Sequence, residues 1–373
     1  MQNFAQQNQV SVASLPTATS AMAGSLVLLT TDGKPYWCNG TAWVDLSSTG
    51  SWAPGGNAGE LQYNNAGVFA GAANIEVDNG DLKLVANPTP VTPPAGSVKL
   101  FGKVMGNTRV MATAVGPSGM DYVLQPSIWR QKIGSWSPPG NGATVPGVFG
   151  MTAWTAVGTA TARTVATTNL LTRMRRLGYV AAAATAGTLV SLRTAAAQFT
   201  TGTGAGLGGF FASFRFAASD AAAVAGVRQF VGMSATTTAP TNVEPSTLLN
   251  AIGVAQLSTD STQMYLVYGG SAAQAAIPLG TGFPPYVGTV GITTGVPYDF
   301  MVWCPPNSNG VVNWQLDRID TGTSIGGTIT PGTPGTQTPA NTTLMNPVLW
   351  RCNNATALAC AFDLINFYIE TDY

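Results

Sequence analysis

The 373-residue chain contains no histidine, and only 9% of its residues are charged. Without histidine the chain cannot form the Ser-His-Asp or Cys-His arrangements of hydrolases, the common zinc sites, or the usual proton shuttle near neutral pH. Sixteen basic and sixteen acidic residues give a formal net charge of zero, so no long-range field attracts nucleic acid or anionic lipid. We therefore expect no nucleic-acid partner, and most hydrolase mechanisms are excluded.

Cysteine pairs and long apolar runs are also missing. The four cysteines, Cys38, Cys304, Cys352 and Cys360, do not form the Cys-x-x-Cys pairs of zinc and redox sites. We predict buried, reduced thiols, with no metal site and no cofactor. The most apolar stretch, residues 177–192, is shorter than the roughly 20 residues that a membrane-spanning helix needs, so no membrane span is predicted. The first residues do not resemble a secretory signal, which indicates synthesis in the cytoplasm.

Glycine and proline, with 44 and 24 residues, are distributed along the whole chain, which disfavours long helices and predicts an all-β fold. In the run 311–319, Val312, Trp314 and Leu316 alternate with polar residues, as in a half-buried strand. One short helix is predicted over 245–250, with proline in its first turn. The pattern predicts a jelly-roll or lectin-like β-sandwich. Its predicted strands cover residues 208–216, 228–233, 252–257, 264–268, 298–304, 311–319 and 357–370.

The N-terminal third contains much shorter strand runs. Between Glu60 and Val85 they are separated by Asn-Ala-Gly and Asp-Asn-Gly turn signals, and two further strands are predicted over 97–104 and 108–113. The proline-rich segment 87–94 lacks the amide donors that a central strand needs. Because isolated hairpins are marginal in water, these runs indicate shelter by identical copies of the chain.

Several of these segments resemble a known family. Leu61-Gln-Tyr-Asn-Asn-Ala-Gly, followed by Asn74-Ile-Glu-Val-Asp and Leu82-Lys-Leu, resembles the strand-and-turn segments repeated in the shafts of bacteriophage tail fibres and tailspikes. Residues 24–46, with an Asn-Gly turn between two aromatic strands, resemble them as well. The glycine- and proline-rich segments 116–127 and 136–141 are similar to the linkers that precede a host-facing domain, and the C-terminal part resembles the terminal β-domain of phage structural proteins.

The resemblance implies a homotrimer with a short intertwined β shaft followed by the C-terminal sandwich. Residues 1–55 would attach to the virion, 56–130 would form the shaft, and 131–373 would form the host-facing domain. The implied function is adsorption of a phage tail fibre to the bacterial surface through a trimeric C-terminal domain, without catalysis. Its expected partners are the sister chains, a phage tail or adaptor protein bound by the N-terminal segment, and a host-surface glycan or protein receptor. The expected location is the virion tail, after assembly in the host cytoplasm.

Two alternatives remain open: a head fibre or decoration protein with a purely architectural role, and a tailspike glycosidase. A glycosidase needs two carboxylates flanking the scissile bond. Asp317 and Asp320 lie three residues apart, so in a strand they would face opposite sides, and a pairing with Arg318 is the commoner situation. The repeated rungs of a glycosidase solenoid are not visible. The candidate carboxylates of the C-terminal part are Asp220, Glu244, Asp260, Asp299, Asp317, Asp320, Asp363, Glu370 and Asp372.

Other candidate binding residues have plain structural explanations. In an extended strand, Arg173 and Arg175 would share one side and Arg176 the other; they could bind acidic sugars or phosphate, but carboxylate pairing between subunits is favoured. Among Trp303, Trp314 and Trp350, which could stack on sugars, Trp314 is predicted in the core and Trp350 is the best candidate for exposure. The glycine-rich residues 202–209 lack a P-loop lysine and are predicted to form a loop. No receptor-binding residue is assigned.

Overall fold

The computed structural model describes residues 10–46, 55–66, 68–88, 90–106, 109–116, 121–124, 133–139, 147–203, 208–305, 309–353 and 358–371. Strands dominate this part of the chain, which confirms the predicted all-β fold. Its only α-helix among the described residues is α1, Leu170–Arg173, and single 3-10 turns cover Ser20–Met22 and Pro245–Thr247. The chain divides into two compact units, residues 1–103 with 110–124, and residues 104–109 with 125–373.

The described helices include none that is long and apolar enough to cross a membrane.

The first unit contains three small sheets. The Asn-Gly turns lie where the sequence predicts them: Gly40 follows a strand with a φ of 95°, and Asn79 and Gly80 both have positive φ, as a tight hairpin turn requires. One sheet has the order β1-β2-β3-β4, with β1 parallel to β2, and the others have the orders β5-β6-β7 and β10-β9-β8. The strands are β1 Val10–Val12, β2 Leu26–Leu29, β3 Lys34–Cys38, β4 Trp43–Asp45, β5 Glu60–Asn65, β6 Val68–Asp78, β7 Asp81–Leu84, β8 Lys99–Val104, β9 Val110–Val115 and β10 Asp121–Val123.

The second unit contains two large antiparallel sheets. The first has the order β13-β14-β25-β16-β21-β22-β23, with β11 also paired to β25, and the second has the order β12-β15-β24-β17-β18-β19-β20. All seven strands predicted from the sequence of this unit are present. The strands are β11 Ile133–Trp136, β12 Trp154–Val157, β13 Thr159–Arg163, β14 Arg176–Val180, β15 Leu189–Thr194, β16 Phe210–Ala218, β17 Arg228–Ser234, β18 Ala251–Leu257, β19 Asp260–Gly269, β20 Ile277–Pro278, β21 Tyr298–Cys304, β22 Val312–Arg318, β23 Thr323–Ile329, β24 Asn346–Cys352 and β25 Ala361–Thr371.

The main core lies between these two sheets. Phe214 on β16 packs against Phe300 on β21 and Phe367 on β25, with ring centroids 6.2 and 5.1 Å apart. Val254 and Leu349 of the second sheet belong to the same buried cluster, so the two sheets form a β-sandwich, as predicted. The predicted alternation on β22 is confirmed as well, because Val312, Trp314 and Leu316 are all buried in this core.

A second, smaller core lies on the outer face of the second sheet. Phe230 of β17 and Trp350 of β24 stack there with ring centroids 6.5 Å apart. The segment 236–248, which includes the 3-10 turn, lies over them, so both faces of this sheet are covered. Trp350, the best candidate for exposure among the three tryptophans, is therefore not available to a ligand: it is only 2% exposed. The predicted helix at 245–250 is present as the shorter 3-10 turn.

All four cysteines are buried and free, as predicted. Burial raises the pKa of Cys352 to about 11 and that of Cys360 to about 12. Thiols with such pKa values carry almost no thiolate near neutral pH, so these cysteines behave as small apolar core residues.

Candidate functional site

The inner face of the second sheet ends in a row of polar side chains. Arg351 on β24 lies opposite Gln229 on β17, which lies opposite Gln256 on β18. Each shares a strand face with an inward-facing apolar residue two positions away, such as Val231 or Val254, so the row forms the end of the main core. The three side chains are 0%, 1% and 3% exposed, in that order.

A carboxylate from the other sheet balances the buried guanidinium. Asp220 follows β16, and both its oxygens accept hydrogen bonds of 3.0 Å from Nε of Arg351, while Nη2 contacts Oδ2. Asp220 also accepts a 2.7 Å hydrogen bond from the backbone N–H of Ala361. Burial alone would lower the pKa of Arg351, but the charge and hydrogen bonds of Asp220, together with Tyr286 and Cys360, outweigh it and raise that pKa. The guanidinium therefore stays charged, and the pair joins the two sheets at this end.

Tyr286 and the two glutamines complete the network. Arg351 Nη1 donates to Oε1 of Gln229 at 2.6 Å and to Oε1 of Gln256 at 2.9 Å. Tyr286 donates its hydroxyl to Oδ2 of Asp220 at 2.5 Å and accepts from Nη2 of Arg351 at 2.9 Å. Burial raises the pKa of the Tyr286 phenol, which keeps it protonated as a donor.

This network forms one wall of a cavity of about 800 Å³. Two amide donors at the network are unused: Nε2 of Gln229 is buried without a hydrogen-bond partner, and the described residues provide none for Nε2 of Gln256. The cavity lies between the loop after β16, the β18–β19 turn and the loop before β21. Its lining residues are Asp220, Ala223, Val224, Ala225, Gly226, Gln256, Ser258, Thr259, Ser261, Thr262, Pro284, Tyr286, Gly288, Val290 and Arg351.

Glu244 joins the segment 236–248 to the rim of this cavity. Its carboxylate accepts a 2.7 Å hydrogen bond from Nε of Arg228, and 2.6 and 3.0 Å bonds from the hydroxyl and backbone N–H of Ser258. Burial would raise the pKa of Glu244, but the hydrogen bonds from Ser258 and Arg228 prevail and hold it below its ordinary value of 4.5.

We expect acid to release this segment. Because the pKa of Glu244 is lowered in the folded protein, its stabilising contribution is complete above 4.5 and is lost as the pH falls through the lowered value. Hydrogen exchange of residues 236–248, corrected for the intrinsic pH dependence, should accelerate over that range. In Glu244→Gln the exchange should already be fast near neutral pH, with no further acid step, whereas Asp320→Asn should behave as the wild type. An unchanged acid step in Glu244→Gln would contradict this assignment.

The other predicted carboxylates do not converge on the cavity. Among the eight that the structure describes, Asp220 is the one that lines it. Asp317 accepts from Gln315 and Ser324, whereas Asp320 pairs with Arg318, the structural partner that the sequence analysis favoured. The remaining five have these partners: Glu244 with Arg228, Asp299 with Arg215, Asp363 with Arg163 and Arg176, Glu370 with Arg109, and Asp260 with Thr262, Gln263 and Tyr265. Asp372 lies outside the described residues.

The arginine cluster does not form an extended strand. Arg173 ends α1, where Asn169 caps the helix, and Arg176 begins β14, so a turn of the backbone separates them. Arg176 is buried and its Nε lies 2.8 Å from Asp363, which shows carboxylate pairing within one chain. Arg175 is exposed, and Trp303 is half-buried on the first sheet.

The described residues of the glycine-rich loop and the possible metal-binding side chains do not form a second candidate site. The described ends of the loop, residues 202–203 and 208–209, lie outside the strands, and 208–209 come directly before β16. Among the residues that the structure places, no group of three or more Cys, Asp or Glu side chains could hold a metal ion.

Sequence reasoning did not identify Arg351, Gln229 or Gln256. The alternation of side chains along a strand offered a signal for both glutamines. Gln229 shares a strand face with the core residue Val231, and Gln256 shares one with Val254. A polar residue in register with two core residues indicates either the end of a core or a buried network. The pairing with Asp220, 131 residues before Arg351, has no local sequence signal.

No family model and no curated protein match this chain. Among solved structures, the chain is similar to the Emp47p carbohydrate recognition domain at 12% identity, covering 63% of this chain and 94% of that one, with a TM-score of 0.37. It is similar to lectin II from Ulex europaeus at 13% identity, with coverages of 65% and 100% and a TM-score of 0.37. A protein of unknown function from Shewanella oneidensis gives 12% identity, coverages of 67% and 96%, and a TM-score of 0.38. The sandwich assignment rests on the two sheets and their shared core.

Proposed function

We propose that this chain is a subunit of a homotrimeric bacteriophage tail fibre that mediates adsorption to the bacterial surface. In this proposal the first unit belongs to the virion-proximal attachment segment and intertwined shaft, and the sandwich is the host-facing domain, of jelly-roll or lectin-like type. The function is adhesive and requires no catalysis. Three identical binding surfaces would strengthen weak contacts through effective concentration.

The sheet formed by β5, β6 and β7 is the observation that carries this proposal. None of its described residues is buried within the single chain. Val77 and Leu82 lie directly opposite each other across β6 and β7 and are 49% and 61% exposed, and Phe69 is 53% exposed. A three-stranded sheet needs a covered apolar face for stability, and identical chains can supply that cover symmetrically.

The sandwich provides the contrast. Among the described residues its main core contains 35 that are buried, including large side chains such as Phe214, Phe300 and Phe367 that are 0% exposed. This unit therefore forms a large apolar core within one chain. The need for cover by sister chains is greatest in the first unit, as expected for a thin shaft joined to a binding domain.

Light scattering on the purified chain tests the trimer. We expect three times the mass of one chain, and we expect Leu82→Asp to yield monomers, because three carboxylates would meet in an apolar interface. Leu249 is 51% exposed in the second unit, so Leu249→Asp is the matched control and should remain trimeric. A monomeric wild-type chain would refute the proposal.

Cell binding tests the adhesive role separately. The fluorescently labelled wild-type trimer should bind intact cells of some strains in a bacterial panel, and monomeric Leu82→Asp should bind the same strains more weakly through lost avidity. A stable trimer that binds no strain would point to the architectural alternative. Release of reducing ends from host envelope glycan would point to the glycosidase.

A further inference from the structure

We propose that the cavity beside Arg351 binds a neutral pyranose unit of a surface glycan, which rests on the adhesive function proposed above. The inference begins from charge. The lining residues include two ionised side chains, Asp220 and Arg351, and these neutralise each other through direct hydrogen bonds. The described lining residues therefore carry no net charge that would attract an ionic ligand, so a neutral polar ligand fits best.

Unused hydrogen-bond donors point to a ligand rich in oxygen. Gln256 is 3% exposed and lines the cavity; its Oε1 is occupied by Arg351, and its Nε2 has no partner among the described residues. This donor is therefore free to bond an acceptor atom of a ligand in the cavity. Ser258 donates its hydroxyl to Glu244 and keeps its own oxygen free to accept.

The rest of the lining suits the two-sided chemistry of a sugar. The side chains of Thr259 and Ser261 at the β18–β19 turn present hydroxyls without protein partners among the described residues. Across the cavity, Val224 and Val290 offer apolar surface to ring C–H groups, and Tyr286 adds an aromatic ring. A volume of about 800 Å³ lies within the ordinary range of small-ligand sites.

A variant that obstructs the cavity tests the role of the cavity separately from that of the Arg351 hydrogen-bond network. Ala223 lines the cavity and is exposed, so Ala223→Trp should obstruct the cavity while leaving the residues of the Arg351 network unchanged. Its neighbour Ala222 is also exposed but is not a lining residue, so Ala222→Trp is the matched control. Gln256→Glu tests the donor directly, because the carboxylate keeps an acceptor for Arg351 but removes the free N–H groups.

The probes are methyl glycosides of glucose, galactose, mannose and N-acetylglucosamine, with glucuronic acid and glucose 6-phosphate as charged comparisons. Titration of the full wild-type chain by NMR should show at least one neutral glycoside binding with a Kd of about 1 mM, and the charged sugars binding at least about tenfold more weakly. Ala223→Trp should lose this binding, Ala222→Trp should retain it, and Gln256→Glu should weaken it about tenfold.

Two results would overturn the assignment: no neutral glycoside binds the wild-type chain, or Ala223→Trp binds as the wild type does. Cell binding by the same variants separates this proposal from the adhesive function. If trimeric Ala223→Trp still binds bacteria as the wild type does, the cavity assignment is refuted and the adhesive function is still supported. If the wild-type trimer binds no cells while the cavity binds a glycoside, the adhesive function is refuted and the cavity assignment is supported.

Discussion

Replacing Arg351 with Met is expected to lower the free energy of unfolding of the sandwich by about 3–5 kcal/mol. The change keeps most of the side-chain volume but leaves Asp220, which is 1% exposed, without its positive partner. A buried carboxylate without a countercharge must either remain charged at a large desolvation cost or take up a proton. Urea denaturation followed by circular dichroism measures the loss.

Arg215 provides the matched control. It also pairs with a carboxylate through two hydrogen bonds, of 2.7 and 2.5 Å to Asp299, but 39% of its side chain is exposed. Water can solvate Asp299 once the partner is removed, so Arg215→Met should cost less than about 1 kcal/mol. Equal losses in the two variants would show that burial of the Arg351 pair has no energetic role.

Replacing Trp350 with Ala is expected to cost about 3–5 kcal/mol, the usual range for deleting a buried tryptophan. The indole stacks on Phe230 beneath the segment 236–248, and its removal leaves a cavity in the smaller core. Urea denaturation should show the loss, and hydrogen exchange should accelerate within residues 236–248, because that segment loses the surface on which it packs.

The control for Trp350 is Leu249→Ala. Leu249 lies close by in sequence to the covering segment, but it is 51% exposed, so its truncation should change stability by less than about 0.5 kcal/mol. A loss in Trp350→Ala as small as in this control would contradict the packing of Trp350 in the smaller core.

Local patterns predicted much of the secondary structure. Asn79 and Gly80 form a hairpin turn because the positive φ values of that turn favour these residue types. Val312, Trp314 and Leu316 face the core because alternation along a strand depends only on neighbouring residues. In the second unit the predictions missed β11 to β15, β20, β23 and β24, although Leu189–Thr194 and Asn346–Cys352 are mostly buried. Small residues or a proline within these runs hide the alternation.

The candidate site could not be read from the same patterns. Trp350 and Arg351 are adjacent, and the sequence makes the tryptophan only a candidate for exposure and gives the arginine no role. In the folded chain both are buried, one on each face of β24, because both faces of this central strand are covered. Only the pairing of β24 with β17 brings Arg351 beside Gln229.

By itself the sequence determined the properties that depend on composition and near neighbours: an all-β chain, hairpin turns at Asn-Gly, buried thiols, and a first part whose short strands carry little core. The tertiary structure decided which strands are neighbours, and therefore which polar groups meet. Asp220 and Arg351 lie 131 residues apart, and Arg163 and Asp363 lie 200 apart. Contacts over such separations arise from closing the two sheets on each other, and that closure is set by the whole core and not by any local segment.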